Sequence, residues 1–217
     1  MGTLCAENLT LVTSEDKALT ATGWKWSDTN MWSPTPSQVA GNNLTIDAVT
    51  TTEISSTIDD GFTAGNVVID LAQNAKSGGS GGKGHFFVEY QGHATFDSLT
   101  LNIDSPQWWS FYFGESTSGS LTINNDFTIT PKGNNTFFLH FKNTDVKGNV
   151  NLTSNSSVGT RVLNTKGSSF SVGGVFNMNG KNAGNGARWC IYTAQNTIGG
   201  LKSETGQHRI DLQKMRR

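Results

Sequence analysis

Asp145-Val146-Lys147-Gly148-Asn149-Val150-Asn151-Leu152 is the stretch that decides the fold. Two small residues, Gly148-Asn149, are followed by an apolar residue, Val150, that opens an alternating strand. Another apolar residue, Val146, lies just upstream. The same arrangement stands at six further places: Asn42-Asn43-Leu44, Gly65-Asn66-Val67, Asp97-Ser98-Leu99, Asn125-Asp126-Phe127, Gly173-Gly174-Val175 and Gly199-Gly200-Leu201. The leading pair is always drawn from Gly, Asn, Asp and Ser. These types tolerate positive φ or bond nearby backbone, so a sharp corner is expected at each.

The apolar anchors follow one another at 23, 32, 28, 23, 25 and 26 residues. Each is preceded by a second apolar position: Val39, Ala64, Phe96, Ile123, Val146, Val172 and Ile198. The repeating unit is therefore strand, corner, strand. Period-two alternation after the corners, as in Leu44/Ile46, Val67/Ile69/Leu71, Leu99/Leu101/Ile103 and Phe127/Ile129, puts the apolar side chains on one face. The sixth repeat slips by one residue, to Phe176/Met178, and after Leu201 the alternation gives way to Lys202-Ser203-Glu204. A third strand is expected within most repeats, at 86–90, 109–113, 136–141, 161–163 and 188–192. An antiparallel sandwich would turn every 8 to 12 residues and would not return the same corner once per period. The pattern predicts an all-β chain, a right-handed single-stranded parallel β-helix (β-solenoid) of about 6–8 coils of 23–32 residues.

Three segments follow. Residues 1–41 read as an irregular first coil or N-terminal cap, 42–201 as the solenoid, and 202–217 as a polar, charged tail or short helix. Composition agrees: of 217 residues 35% are hydrophobic and 15% charged, with 25 glycines and a net charge of −1. Small polar and β-branched residues suit short strands and tight turns. A near-neutral balance argues against a nucleic-acid partner. No apolar stretch approaches the roughly 20 residues of a membrane span, so no membrane insertion of this segment is expected. The first ten residues show no signal-peptide pattern. Cys5 and Cys190 fall near opposite ends, and a rod of stacked coils predicts no disulfide between them.

Asp59-Asp60, Asn143-Thr144-Asp145, Gly84-His85, Gly92-His93 and Arg209-Ile210-Asp211 echo fragments of the polygalacturonase set. Their order is wrong for it, and neither histidine has a following glycine. Inverting hydrolysis needs carboxylates about 6.5–9.5 Å apart, whereas Asp59 and Asp145 fall about three coils apart. Residues 77–84 mimic a phosphate-binding loop but have Ser77 and Gly84 at two defining positions, and a strand rather than a helix follows. His85, His93, His140 and His208 show no metal-ligand spacing. No catalytic residue, metal or cofactor is expected. The strip most suited to a partner is aromatic: Trp108-Trp109 leads into Phe111-Tyr112-Phe113, and alternation sends Trp108 and Tyr112 to the face opposite Trp109, Phe111 and Phe113. Trp108 and Tyr112 are thus the candidate ligand-binding residues, for a glycan or protein.

The corner-strand units, Asp145–Leu152 and Phe170-Ser171-Val172-Gly173-Gly174-Val175-Phe176-Asn177-Met178 among them, on their Asn/Thr/Ser/Gly-rich background, resemble the passenger region of Gram-negative autotransporters of the pertactin/adhesin type. The resemblance covers about residues 40–200 and is carried by repeats rather than by a diagnostic motif. It implies an extracellular, surface-displayed or secreted rod tethered through an outer-membrane β-barrel. It also implies a part in virulence through adhesion or as a stalk, with host-cell glycan or protein, or self-association, as the partner. It carries over no active site. Two other classes make different predictions: a carbohydrate-active β-helix enzyme of pectate lyase or polygalacturonase kind, and a trimeric phage tail-spike or fibre segment.

Overall fold

The computed structural model describes residues 6–12, 24–47, 54–71, 83–103, 108–114, 118–131, 137–154, 160–180, 188–203 and 207–212. The chain opens with β1 (Asn8–Leu11), β2 (Trp24–Lys25), a 3-10 turn at Thr29–Met31, β3 (Trp32–Ser33) and β4 (Asn43–Asp47). β5 (Ile54–Ile58) then leads into β6 (Thr63–Leu71), and β7 (Lys83–Tyr90) into β8 (His93–Ile103). The next repeat divides into β9 (Trp108–Phe113), β10 (Ser120–Ile123) and β11 (Phe127–Pro131). The one after divides into β12 (Phe137–Phe141), β13 (Thr144–Val146) and β14 (Val150–Ser154). β15 (Thr160–Gly180) and β16 (Arg188–Ser203) each run through a whole repeat, and β17 (Gln207–Leu212) follows. The fold is all-β, with no α-helix among the described residues.

The strands form three parallel ladders. The first joins β2, β5, β7, β9, β12, the starts of β15 and β16, and β17. The second joins residues 63–64 and 93–96 to β10, β13, 170–172 and 196–198. The third joins β1, β4, 67–71, 99–103, β11, β14, 176–180 and 201–203. One antiparallel pair, β1 with β3, breaks the pattern at the N-terminal end.

The corner anchors form one column in the third ladder. Leu9, Leu44, Val67, Leu99, Phe127, Val150, Phe176 and Leu201 succeed one another in register. All but Leu201 are at most 1% exposed. The upstream apolar positions Ala64, Phe96, Ile123, Val146, Val172 and Ile198 form a matching column in the second ladder. The one-residue slip has a local cause. Val172 and Phe176 are four residues apart, as are Val146 and Val150 opposite them, so Phe176 rather than Val175 stands opposite Val150. A bulge follows on the other side of β15, where Val172–Val175 faces Ile198–Gly200.

The corners hold by a different device from the one expected. Among the described residues positive φ occurs at Gly41, Gly61, Gly114 and Asn143, none of them a corner pair. The second corner residue instead bonds to the neighbouring repeat. Asn43 Oδ1 accepts the N–H of Asn66 at 2.8 Å, Asp126 Oδ1 that of Asn149 at 2.8 Å, and Asn149 Oδ1 that of Val175 at 2.9 Å. Ser98 Oγ donates to Asn66 Oδ1 at 2.7 Å. Asn and Asp recur because a short acceptor side chain reaches exactly one strand spacing, about 4.8 Å. Glycine at the first corner position answers to crowding: a Cβ on Gly148 would stand 2.6 Å from the carbonyl oxygen of Asn125.

The core is aromatic towards the N-terminal end. Trp24, Trp26 and Trp32 are 6%, 0% and 1% exposed, and Trp26 stacks on Phe96 with centroids 5.6 Å apart. Trp26 Nε1 donates to buried Ser56 Oγ at 3.0 Å, and Ser56 donates in turn to the Phe87 carbonyl at 3.0 Å. These tryptophans fill the first repeat. At the other end the stretch read as a tail or short helix contains a strand: β17 pairs in parallel with residues 188–193 of β16. The first ladder therefore extends one rung beyond Leu201. A parallel neighbour supplies backbone partners whatever the side chains, which the charged composition of the segment did not disclose.

Candidate functional site

On the first ladder the core-facing rows are the odd positions of β9 and β12, with Phe111, Phe113, Leu139 and Phe141 all 0% exposed. The alternate positions carry a second row. Tyr112 lies opposite Phe87 on one side and His140 on the other, and all three are half-buried. Their rings form a continuous stack: Phe87 to Tyr112 at 4.6 Å and 10°, Tyr112 to His140 at 4.5 Å and 16°. Trp108 opens the same strand with its backbone opposite Lys83; its side chain lies outside the described residues. Tyr112 thus sits on the face that alternation assigned to it, in a row with two residues not singled out from the sequence. Phe87 and His140 come from other repeats, and their alternation with buried Phe86, Val88, Leu139 and Phe141 was the available signal.

Both faces of the Tyr112 ring are occupied by its neighbours. A sugar ring prefers to lie flat on an aromatic face, so a ligand would meet the edge of this row, or a flat face at its ends. The row is continued in register by Ser55 before Phe87 and by Asn164 after His140.

The carboxylates stay apart. Asp59 lies at the corner after β5, where Ser27 Oγ donates to it and Lys25 Nζ is 3.1 Å away. The Ser27 hydrogen bond, opposed by partial burial and aided by Lys25, holds its carboxyl below the ordinary value of 3.8. Asp145 lies on β13, paired with Lys147 and accepting from Ser171 Oγ at 2.5 Å. Burial raises its pKa, but the bonds from Lys147 and Ser171 outweigh that, and the net shift is downward. In the second ladder Asp145 stands three rungs from Thr63, the residue that follows the Asp59 corner, or about 14 Å along the stack. Each carboxylate serves its own corner.

One contact has a catalytic look. His93 Nδ1 lies 2.8 Å from Ser120 Oγ on the next rung, and Asp60 is adjacent. The Asp60 carboxylate, however, accepts the backbone N–H of His93 at 2.8 Å, and the imidazole Nε2 lies 3.3 Å from Thr95 Oγ1. Among the described residues no carboxylate orients the ring, which a Ser-His-Asp arrangement requires. His85 and His93 stand in different ladders, opposite Ser110 and Ser120. Among the described residues no group of three metal-capable side chains occurs. No helix among them is long and apolar enough to cross a membrane. A depression of about 330 Å³ beside Glu7 and Gln38 has a single carboxylate and no histidine or cysteine among its described lining residues. Cys5 and residues 77–82 lie outside the described residues.

No protein family, curated protein or solved structure with which the chain was compared matches it.

Proposed function

We propose that the chain is a right-handed parallel β-solenoid and works without catalytic chemistry as an adhesin-like or stalk segment of a secreted or surface-displayed protein of autotransporter-passenger type. The observation that carries this reading is the unbroken column from Leu9 to Leu201, one anchor per repeat, paralleled by the column from Ala64 to Ile198. Three ladders that all advance in parallel, with the same segment order in every repeat, are what a chain wound in one sense produces. Eight rungs at about 4.8 Å each make a rod of about 35 Å. The separation of Asp59 from Asp145 and the missing orienting carboxylate at His93 favour a scaffold over an enzyme. Adhesion falls to the row of Phe87, Tyr112 and His140, with Trp108 opening the middle strand. The proposed ligand is a host-cell glycan or protein.

Fused to a secretion signal and an outer-membrane barrel, the chain is expected to appear folded and protease-resistant on the bacterial surface. Retention and degradation in the periplasm would sink the display reading. Host-cell or glycan binding by the purified chain should fall in Tyr112→Ala and Trp108→Ala. Binding that is unchanged in both variants would remove the aromatic row from the proposal and leave the stalk.

A further inference from the structure

We infer that the depression between the segment before β1 and the loop before β4 is a binding site for the end residue of a neutral oligosaccharide, held through its vicinal hydroxyls. The depression measures about 330 Å³, with Ala6 and Glu7 on one side and the 37–42 loop on the other. That volume lies at the lower end of the range for small-ligand sites. The Asn42 amide ties the two sides together: Oδ1 accepts the Glu7 N–H at 2.9 Å, and Nδ2 donates to the Gln38 carbonyl at 2.9 Å. Backbone bonds fix the same segments, from Asn43 N–H to the Glu7 carbonyl at 2.8 Å and from Gly41 N–H to the Thr63 carbonyl at 2.9 Å. Val39, within the loop, is 2% exposed and anchors it in the core. A ligand entering walls already held by such bonds has little left to order.

The lining is rich in acceptors. The Glu7 carboxylate only accepts, and Ser37 Oγ both donates and accepts. Gln38 Nε2 is turned to the Ala40 carbonyl, 3.4 Å away, which leaves Oε1 as its acceptor. All three side chains are exposed, and among the described residues none is bonded to the side chain of Glu7 or Ser37. Adjacent hydroxyls of a pyranose can donate together to a carboxylate and an amide oxygen, and the bond to the charged acceptor is the stronger. Ala6 and Ala40 place methyl groups beside these polar atoms, where the C–H groups of a sugar ring can pack. No lysine, arginine or histidine occurs among the described lining residues. A uronate or sialate would therefore bring its carboxylate to Glu7 uncompensated, which selects against acidic sugars. An ammonium ligand would gain only an exposed ion pair, which contributes little. A Cβ built on Gly41 has nothing within 4 Å, so space is free there for the next residue of the chain. The site is separate from the row of Phe87, Tyr112 and His140 on the first ladder, and it requires neither that row nor surface display.

The test titrates the full 217-residue chain, isotope-labelled, with the methyl glycosides of glucose, galactose and mannose, with disaccharides ending in each, and with glucuronate. Binding is read from the amide resonances. At least one neutral glycoside should move the amides of Glu7, Gln38 and Gly41 with a Kd of about 1 mM, ordinary for a small ligand in a shallow site. Glucuronate should bind about tenfold more weakly, and the disaccharide ending in the preferred sugar should bind at least as well as the glycoside. Glu7→Gln should weaken the neutral sugar about tenfold and remove the discrimination against glucuronate. Gln38→Ala should weaken it by about as much, and Ser37→Trp, which fills the depression, should abolish binding. The three substituted side chains are exposed, and an otherwise unchanged spectrum verifies the fold of each variant. Tyr112→Ala should leave these shifts as they are, so failure of the aromatic row and failure of this site are told apart. Resonances at the three amides that stay fixed with every sugar, or shifts confined to other parts of the chain, would overturn the inference. Tighter binding of glucuronate, binding of the glycosides but not the disaccharides, or full affinity in Glu7→Gln would overturn it as well.

Discussion

At the N-terminal end of the ladders three tryptophans are packed together, with ring centroids 5.9 to 6.3 Å apart, and the antiparallel pairing of β1 with β3 lies beside them. At the other end Leu201, in the same column as seven buried anchors, is 56% exposed, and β17 has one partner among the described residues. The two ends are built from the same repeat, and their difference shows what closes a parallel stack. A rung in the middle is covered on both sides by its neighbours, so its own side chains, Leu99 and Phe127 among them, fill its share of core. A terminal rung has a neighbour on one side only and needs bulk brought in from elsewhere. Trp24, Trp26 and Trp32 supply that bulk at one end. At the other nothing comparable follows Leu201 among the described residues.

Trp26→Ala should do the most damage, because it removes a 0% exposed ring from the tryptophan cluster and leaves Ser56 Oγ without its donor. A loss of about 3–5 kcal/mol is expected, read from the midpoint of urea unfolding. An effect under about 1 kcal/mol would show that the tryptophans do not close the stack. Leu99→Ala, in mid-column and 0% exposed, should cost about 2–5 kcal/mol in the same assay. Asp126→Ala removes the acceptor for the Asn149 N–H and for Asn151 Nδ2. About 1–3 kcal/mol is expected, and a neutral outcome would mean that the corners are held by packing alone.

Tyr90 adds a dependence on pH. Its ring is 0% exposed and its hydroxyl has no hydrogen-bond partner among the described residues. Burial first, and then the charge of Glu89, raise its pKa well above 10. The folded state therefore keeps the proton while the unfolded chain loses it above pH 10. Stability attributable to Tyr90 is complete below that pH and declines as pH rises through the interval up to the folded value. Tyr90→Phe should abolish this alkaline loss and leave neutral-pH stability unchanged or higher, measured as melting temperature between pH 8 and pH 11. Leu201→Ala is expected to have the smallest effect, within about 0.5 kcal/mol, as against the cost at Leu99. Equal costs at the two leucines would erase the difference between the middle of the column and Leu201.

Much of this was legible in the residues. The anchors, the upstream apolar column and the slip at Phe176 could be located because alternation and corner composition are local properties, set by the pleat and by which residues turn tightly. The face of Tyr112 followed from the same alternation. The corner mechanism did not: the small residues suggested positive φ, but Asn43, Asp126 and Asn149 act on backbone one repeat away. Strand β17 was also missed, because its pairing depends on a neighbour and hardly on its own composition.

By itself the sequence determined a repeating strand-corner-strand chain with an apolar face, since those signals are read within a few residues. Only the tertiary structure decided which residues from different repeats meet. Phe87, Tyr112 and His140 are separated by 25 and 28 positions, yet their rings lie 4.6 and 4.5 Å apart. Loops of unequal length separate the repeats, so register between neighbours is set by packing of the buried columns rather than by counting along the chain. The same packing buries the anchors as far as Phe176, whereas Leu201 is 56% exposed.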